Sequence, residues 1–204
     1  MSFLRKNTTA SPNVMNTSME KTKRLARISR LSAVMKWALT LFMAFFAIIG
    51  VVYLAGLLGL DFADILEETV DYIEPERRYG DLGFGQRAIL ALIGDALLGA
   101  FLITLWYVRK LFSAFQRHLF FAAETLSDMV RAGIWFLIFG IFVILEVPLT
   151  TVVGTYDLPE GQRQVSIEFS GGELLFMFFG VLFIVFGWVM REAAVIDEEN
   201  KQFI

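Results

Sequence analysis

The chain has no cysteine and one histidine, His118, in 204 residues. The first absence excludes disulfides, thiolate metal sites and cysteine nucleophiles. The second excludes a multi-histidine metal or haem centre within one chain. No zinc spacing, no nucleophile beside a base and no phosphate-binding glycine loop is present. An enzyme is therefore not expected, nor is a cofactor or a metal. Lysine and arginine are missing from four long stretches: Trp37 to Leu60, Ala88 to Val108, Gly133 to Val153 and Leu174 to Met190.

Those stretches are what the chain does have. Crossing a bilayer core takes about 20 apolar residues, range ~17–25, and all four runs qualify, the last at the lower edge. A helix is the element that satisfies its own backbone in lipid. With 56% hydrophobic residues, the sequence predicts an all-α membrane protein: four transmembrane helices in an antiparallel bundle. Residues 1–23 are expected to form a disordered cytoplasmic N-terminus and 24–204 the membrane domain. No cleavable signal peptide is expected, because the first apolar run starts late and is too long for one.

Charge sets the expected orientation. Of the 18 Lys and Arg residues, 14 flank the same ends of the runs: eight before the first, four between Arg109 and Arg131, and Arg191 and Lys201 after the last. The segment between runs one and two instead carries eight acids, Asp61 through Asp81. Cations are retained inside, so both termini and the middle loop are expected in the cytoplasm of a bacterial inner membrane. Trp37, Trp106, Trp135 and Trp188 all fall at the predicted inner ends, where indole rings favour the interface.

The connections carry their own patterns. Lys21 to Lys36 reads as a basic helical lead-in able to meet anionic lipid heads. Phe62, Ile65, Leu66, Val70 and Ile73 recur at helical spacing, which predicts a short acidic amphipathic helix on the outer surface. Leu111, Phe112, Phe115 and Leu119, then Leu126, Met129 and Val130, predict a cytoplasmic helical hairpin between helices two and three, broken near Phe120 to Ala123. Val165, Ile167 and Phe169 alternate with Ser166 and Glu168, predicting a small outer β-hairpin whose first strand runs from about Val152 to Tyr156. Gly133 and Gly140, and Gly180 and Gly187, are each seven apart. Small residues at that spacing let membrane helices approach closely, so helices three and four are expected to be neighbours. His118 is a candidate pH switch or an interfacial anchor.

Two acids lie inside runs. Asp95 is seven residues beyond Ala88, and Glu146 seven before Val153, each ~10 Å deep at about 1.5 Å per residue. On antiparallel helices they reach the same level of the outer leaflet. An acid within the membrane is expected to face protein or water. Gly99 and Thr150, one turn on from each, make those faces less lipid-like, and Pro148 is expected to kink helix three. The pair is either two separate polar residues or a proton-sharing couple.

Three segments carry a resemblance. FAAETLSDMVRAG resembles a bacterial pattern, Phe–(Ser/Thr)–x–Glu–Asn leading to a glycine, that precedes a third membrane helix. AAVIDEENKQFI resembles the closing Glu-Glu-Asn signature of the same family, and RLARISRLSAVMKW fits its basic lead-in. The family is the group of four-helix bacterial membrane proteins catalogued as domain of unknown function 2975. Phe121, Glu124 and Gly133 match its inner-loop pattern, and Glu198, Glu199 and Asn200 match its tail. Ala122 and Thr125 depart from it, the first losing a capping hydroxyl. The resemblance implies a fold and a bacterial membrane but no activity. Relatives are often encoded beside small helix-turn-helix regulators.

The leading expectation is a regulatory or interaction protein that holds a cytoplasmic regulator protein through those six residues. The alternative is a small oligomeric transporter, channel or proton-sensing element built on Asp95 and Glu146. The lipid bilayer, that regulator and a second copy of the chain are the candidate partners, and direct contact with nucleic acid is not expected.

Overall fold

The computed structural model describes residues 12–57, 69–70, 73, 77–168 and 171–202. Four long helices dominate: α1 (Pro12–Leu57), α2 (Phe84–Gln116), α3 (Ala123–Thr155) and α4 (Gly171–Gln202). Each contains a stretch long and apolar enough to cross a bilayer. The molecule is a four-helix, membrane-spanning bundle. With an even number of passes, the start of α1 and the end of α4 lie on one side, the basic end, together with the α2–α3 turn. Each helix runs well past its apolar stretch there. α1, at 46 residues, is about 69 Å long at 1.5 Å per residue. Its helix begins at Pro12, inside the segment expected to lack regular structure.

The helices pack chiefly in chain order, α1 on α2, α2 on α3, and α3 on α4. The pairs are antiparallel: Lys36 meets Gln116 while Tyr53 meets Gly94, and Gln86 meets Val153 while Lys110 meets Asp128. α1 and α4 are the outer members of this row. Both expose many large apolar side chains, among them Leu41, Phe45 and Ile48 on α1 and Leu174, Phe178 and Val185 on α4. In water that would be an error of patterning; in a bilayer these are the lipid-facing surfaces.

Two devices join the row. The first is a line of phenylalanines crossing all four helices. Phe46 lies 5.5 Å from Phe101, Phe101 5.2 Å from Phe139, and Phe139 4.8 Å from Phe176, centroid to centroid. These separations are those of attractive ring pairs. The second is the α3–α4 seam, where all four heptad glycines face the neighbouring helix. A Cβ on Gly133 would lie 2.6 Å from the Gly180 carbonyl oxygen, and one on Gly187 2.6 Å from Val130 Cγ2. Only hydrogen at these Cα positions permits such an approach, as the spacing suggested.

The connections depart from expectation. The predicted outer β-hairpin is absent. Val152 to Thr155 are the last turn of α3, and residues 163–168 form no strand. Alternate backbone N–H groups of that segment bond to α3 instead. Gln164 donates to the Thr155 hydroxyl and Ser166 to the Thr151 hydroxyl, both at 3.1 Å. The threonines, four apart on one helix face, match the period-two spacing of an extended chain. Val165 and Ile167, the apolar half of the alternation, therefore point outward, each 66% exposed.

The predicted outer amphipathic helix is corrected at Val70. Thr69–Val70 (β1) pairs antiparallel with Arg77–Arg78 (β2), consistent with the extended preference of β-branched residues. Phe62, Ile65 and Leu66 lie outside the described residues. The predicted cytoplasmic helical hairpin is also not a separate element. α2 and α3 continue unbroken past the apolar runs and turn over residues 117–122. His118 sits at φ 61°, the left-handed position that usually closes a helix. The Leu119 N–H reaches the Ala114 carbonyl at 3.0 Å and the His118 N–H the Phe115 carbonyl at 3.1 Å, satisfying the last carbonyls of α2. Ala122 then starts α3 with no side-chain cap. Pro148 lies inside α3 without ending it.

Candidate functional site

Three arrangements hold the polar chemistry. The first is a clamp at the end opposite the basic end. Arg77 opens β2, the strand paired with β1; Gln86 is on the first turn of α2; Asp157 follows α3. Arg77 grips Asp157 through both terminal nitrogens, at 2.8 and 3.0 Å, and donates to the Gly154 carbonyl at 2.6 Å. Gln86, 2% exposed, donates to Asp157 at 2.9 Å and to the Val153 carbonyl at 3.0 Å, and accepts the Gly83 N–H at 2.9 Å. A forked guanidinium on a carboxylate is strong and directional. The bond from Arg77, with that from Gln86, holds the Asp157 carboxyl below its ordinary 3.8, at about 2, against the opposing effect of burial. The same pairing raises the pKa of Arg77.

Beneath the clamp, Ile73, Leu82 and Leu90 form a small buried core with Tyr79, Ile93 and Val153 packed against it. Below that lies the second arrangement, a cavity of about 80 Å3 lined by Tyr53, Tyr79, Leu90, Ile93, Gly94, Glu146, Val147 and Thr150. The two tyrosine rings meet edge to face at 6.3 Å. Tyr53, Tyr79 and Glu146 are all engaged by other groups. Asp95 does not line this cavity. It follows Gly94, and one further residue rotates the side chain by about 100° around an α-helix. Asp95 is half-buried on α2; Leu98, one turn on, occupies the space beside Gly50 of α1. Of the two carboxylates, Glu146 lines this cavity and Asp95 does not.

The third arrangement is at the basic end. Phe121, in the α2–α3 turn, and Ala193, Ala194, Asp197 and Glu198, on the α4 tail, line one cleft of about 380 Å3. Two of the six family-like residues thus come together although they lie far apart in the chain. Phe121 is 58% exposed. Glu199 and Asn200 are exposed on the same tail but do not line the cleft. Glu124 lines a different cavity, between the feet of α2 and α3. Gly133 is buried against α4, where its role is helix packing.

Sequence reasoning missed the clamp and the tyrosines. No periodicity links Arg77 with Asp157, 80 residues apart. Gln86 did carry a signal: it stands three residues after Gly83, the spacing of a residue that caps its own helix. Among the described residues, no group of three or more His, Asp or Glu is placed to hold a metal.

Fold and surface define the class, an integral membrane protein of four spanning helices. Comparison of the chain with family models, with curated proteins and with solved structures finds no match.

Proposed function

We propose that the protein is a membrane-held interaction element of a bacterial cytoplasmic membrane, with both termini inside. In this reading the cleft between the α2–α3 turn and the α4 tail receives a cytoplasmic regulator protein. The single observation that carries it is the meeting of Phe121 with Asp197 and Glu198 in one open cleft. An exposed ring beside two carboxylates suits a partner segment that pairs an apolar side chain with a lysine or arginine. The charge distribution supports the orientation. Kinship with the four-helix family rests on the motifs in the turn and tail.

A photoreactive residue at Phe121, activated in native membranes, tests the reading. A protein adduct is expected, and it is expected to fade when Glu198, Glu199 and Asn200 become Ala while membrane levels hold. Adducts to lipid alone, or a protein adduct indifferent to the tail, refute it.

A second reading is favoured by the placement of Glu146 with Tyr53, Tyr79 and Thr150 around one cavity below the outer clamp. Here Glu146 acts alone as a proton-linked group. Infrared difference spectra on changing external pH are expected to lose a carboxyl band in Glu146→Gln and to keep it in Asp95→Asn. The reverse pattern sinks this reading.

A further inference from the structure

The cavity between the feet of α2 and α3 has a volume of about 310 Å3. It opens where the apolar run of α2 stops. Trp106 stands at that boundary, and Arg109, Lys110, Ser113 and Arg117 follow toward the basic end, all lining the cavity. Arg109 and Ser113, four apart on α2, share a helix face, and Arg117 caps the end of that helix.

The charges are not all alike in their surroundings. Asp128 of α3, its side chain 8% exposed, lies 3.7 Å from Lys110 and 3.4 Å from Arg131. Its charge is matched within the protein. Arg109 donates its Nε–H to the Thr40 hydroxyl at 2.8 Å and lies 5.4 Å above the Trp106 ring. Those contacts fix the guanidinium in place. Among the described residues neither Arg109 nor Arg117 meets a carboxylate, and Glu124, on the same cavity, meets no cation.

We propose that this cavity binds a phosphate diester carrying a primary ammonium, the headgroup of phosphatidylethanolamine. The phosphate sits on Arg109 and Arg117, and the ammonium on Glu124. Planar guanidinium forks match phosphate oxygens, and a basic pocket between helices at the hydrocarbon boundary is where lipid phosphates lie. Glu124 supplies the selectivity. An acid left alone beside a phosphate repels a purely anionic headgroup, whereas an ammonium answers it. The inference concerns lipid and not the protein partner, and it holds whichever leaflet this end faces.

Native mass spectrometry of the full chain in detergent tests it, with short-chain phosphatidylethanolamine, phosphatidylglycerol and phosphatidylcholine as probes. Phosphatidylethanolamine is expected to be retained about tenfold over the other two, and Arg117→Gln to lower that retention about tenfold, the weight of a charged hydrogen-bond pair. Glu124→Gln is expected to erase the preference over phosphatidylglycerol. Arg109→Lys keeps the charge and removes the fork, and an intermediate loss is expected; it serves if the Arg117 variant does not fold. Equal retention of all three lipids by the unaltered protein, or retention indifferent to Arg109 and Arg117, overturns the proposal. So does displacement of the lipid by equimolar soluble glycerophosphoethanolamine, which assigns the site to a free phosphodiester.

Discussion

Gly133→Ala puts a methyl group where the α3–α4 seam has no room. The new Cβ would lie 2.6 Å from the Gly180 carbonyl oxygen and 2.9 Å from the Ile184 nitrogen, both backbone atoms, with ordinary contact beginning at 3.4 Å. Neither neighbour can swing aside, so the helices must part locally by about 0.8 Å, and overpacking of this kind costs about 1–3 kcal/mol. A gap of 0.5–1 Å forfeits roughly a quarter to a half of each dispersion contact it opens, and in lipid such contacts drive much of helix association. Gly140→Ala is the milder case: its closest neighbour is the Met177 side chain at 2.9 Å, and backbone begins at 3.5 Å. Gly99→Ala is the control, with nothing within 4 Å of its Cβ. Reversible unfolding of the three variants in mixed micelles is expected to rank Gly133→Ala as the least stable, Gly140→Ala next and Gly99→Ala near the unaltered protein. Gly133→Ala with Gly180→Ala is expected to cost less than the two added, since both open the same contact. If Gly133→Ala is no more harmful than Gly99→Ala, the seam does not hold the helices together.

The Arg77–Asp157 clamp gives a pH prediction. A carboxyl held at about 2 against an ordinary 3.8 contributes its full stabilisation above about pH 5 and loses it as pH falls toward 2. The stability difference between the unaltered protein and Asp157→Asn is therefore expected to be constant above about pH 5 and to shrink toward zero near pH 2; a difference independent of pH contradicts the ion pair. His118→Gly relieves a left-handed residue at the end of α2 and is expected to raise stability by about 1 kcal/mol, read as a higher unfolding midpoint. Single cysteines at Ser127 and Glu160, probed with an impermeant thiol reagent in intact cells, are expected to label only at Glu160; labelling only at Ser127 inverts the proposed orientation.

The membrane spans were legible because lipid imposes a length and a composition that nothing else in the chain imitates. The glycine seam was legible for a related reason: a seven-residue interval returns nearly to the same face of a helix. Loops obeyed local pattern less well. Val165 and Ile167 alternate as a strand does, and the segment carrying them is extended, but Thr151 and Thr155 took the hydrogen bonds that a second strand would have taken. Counting residues from the membrane edge gives Asp95 and Glu146 a common level but no azimuth, and the azimuth around α2 leaves Glu146 alone of the two on the cavity. Arg77, Gln86 and Asp157 come from three separate elements, so their meeting belongs to the tertiary structure alone. Phe121 and Glu198 stood out in sequence by resemblance to a family, with no local signal that they would share a cleft.

The order of packing along the row bears on how the chain is built. Each helix leans mainly on its neighbours in chain order, so each new span finds a main partner already made. α1 and α2 can dock as soon as the second span enters the bilayer, and α3 then closes its half of the phenylalanine line. Only α4 waits, with its glycines, to complete the seam. A chain cut after residue 168 is expected to keep the Arg77–Asp157 clamp, whose members all precede that point, and to expose a glycine-lined groove on α3. Such a groove is where α4, supplied as a separate fragment, is expected to dock.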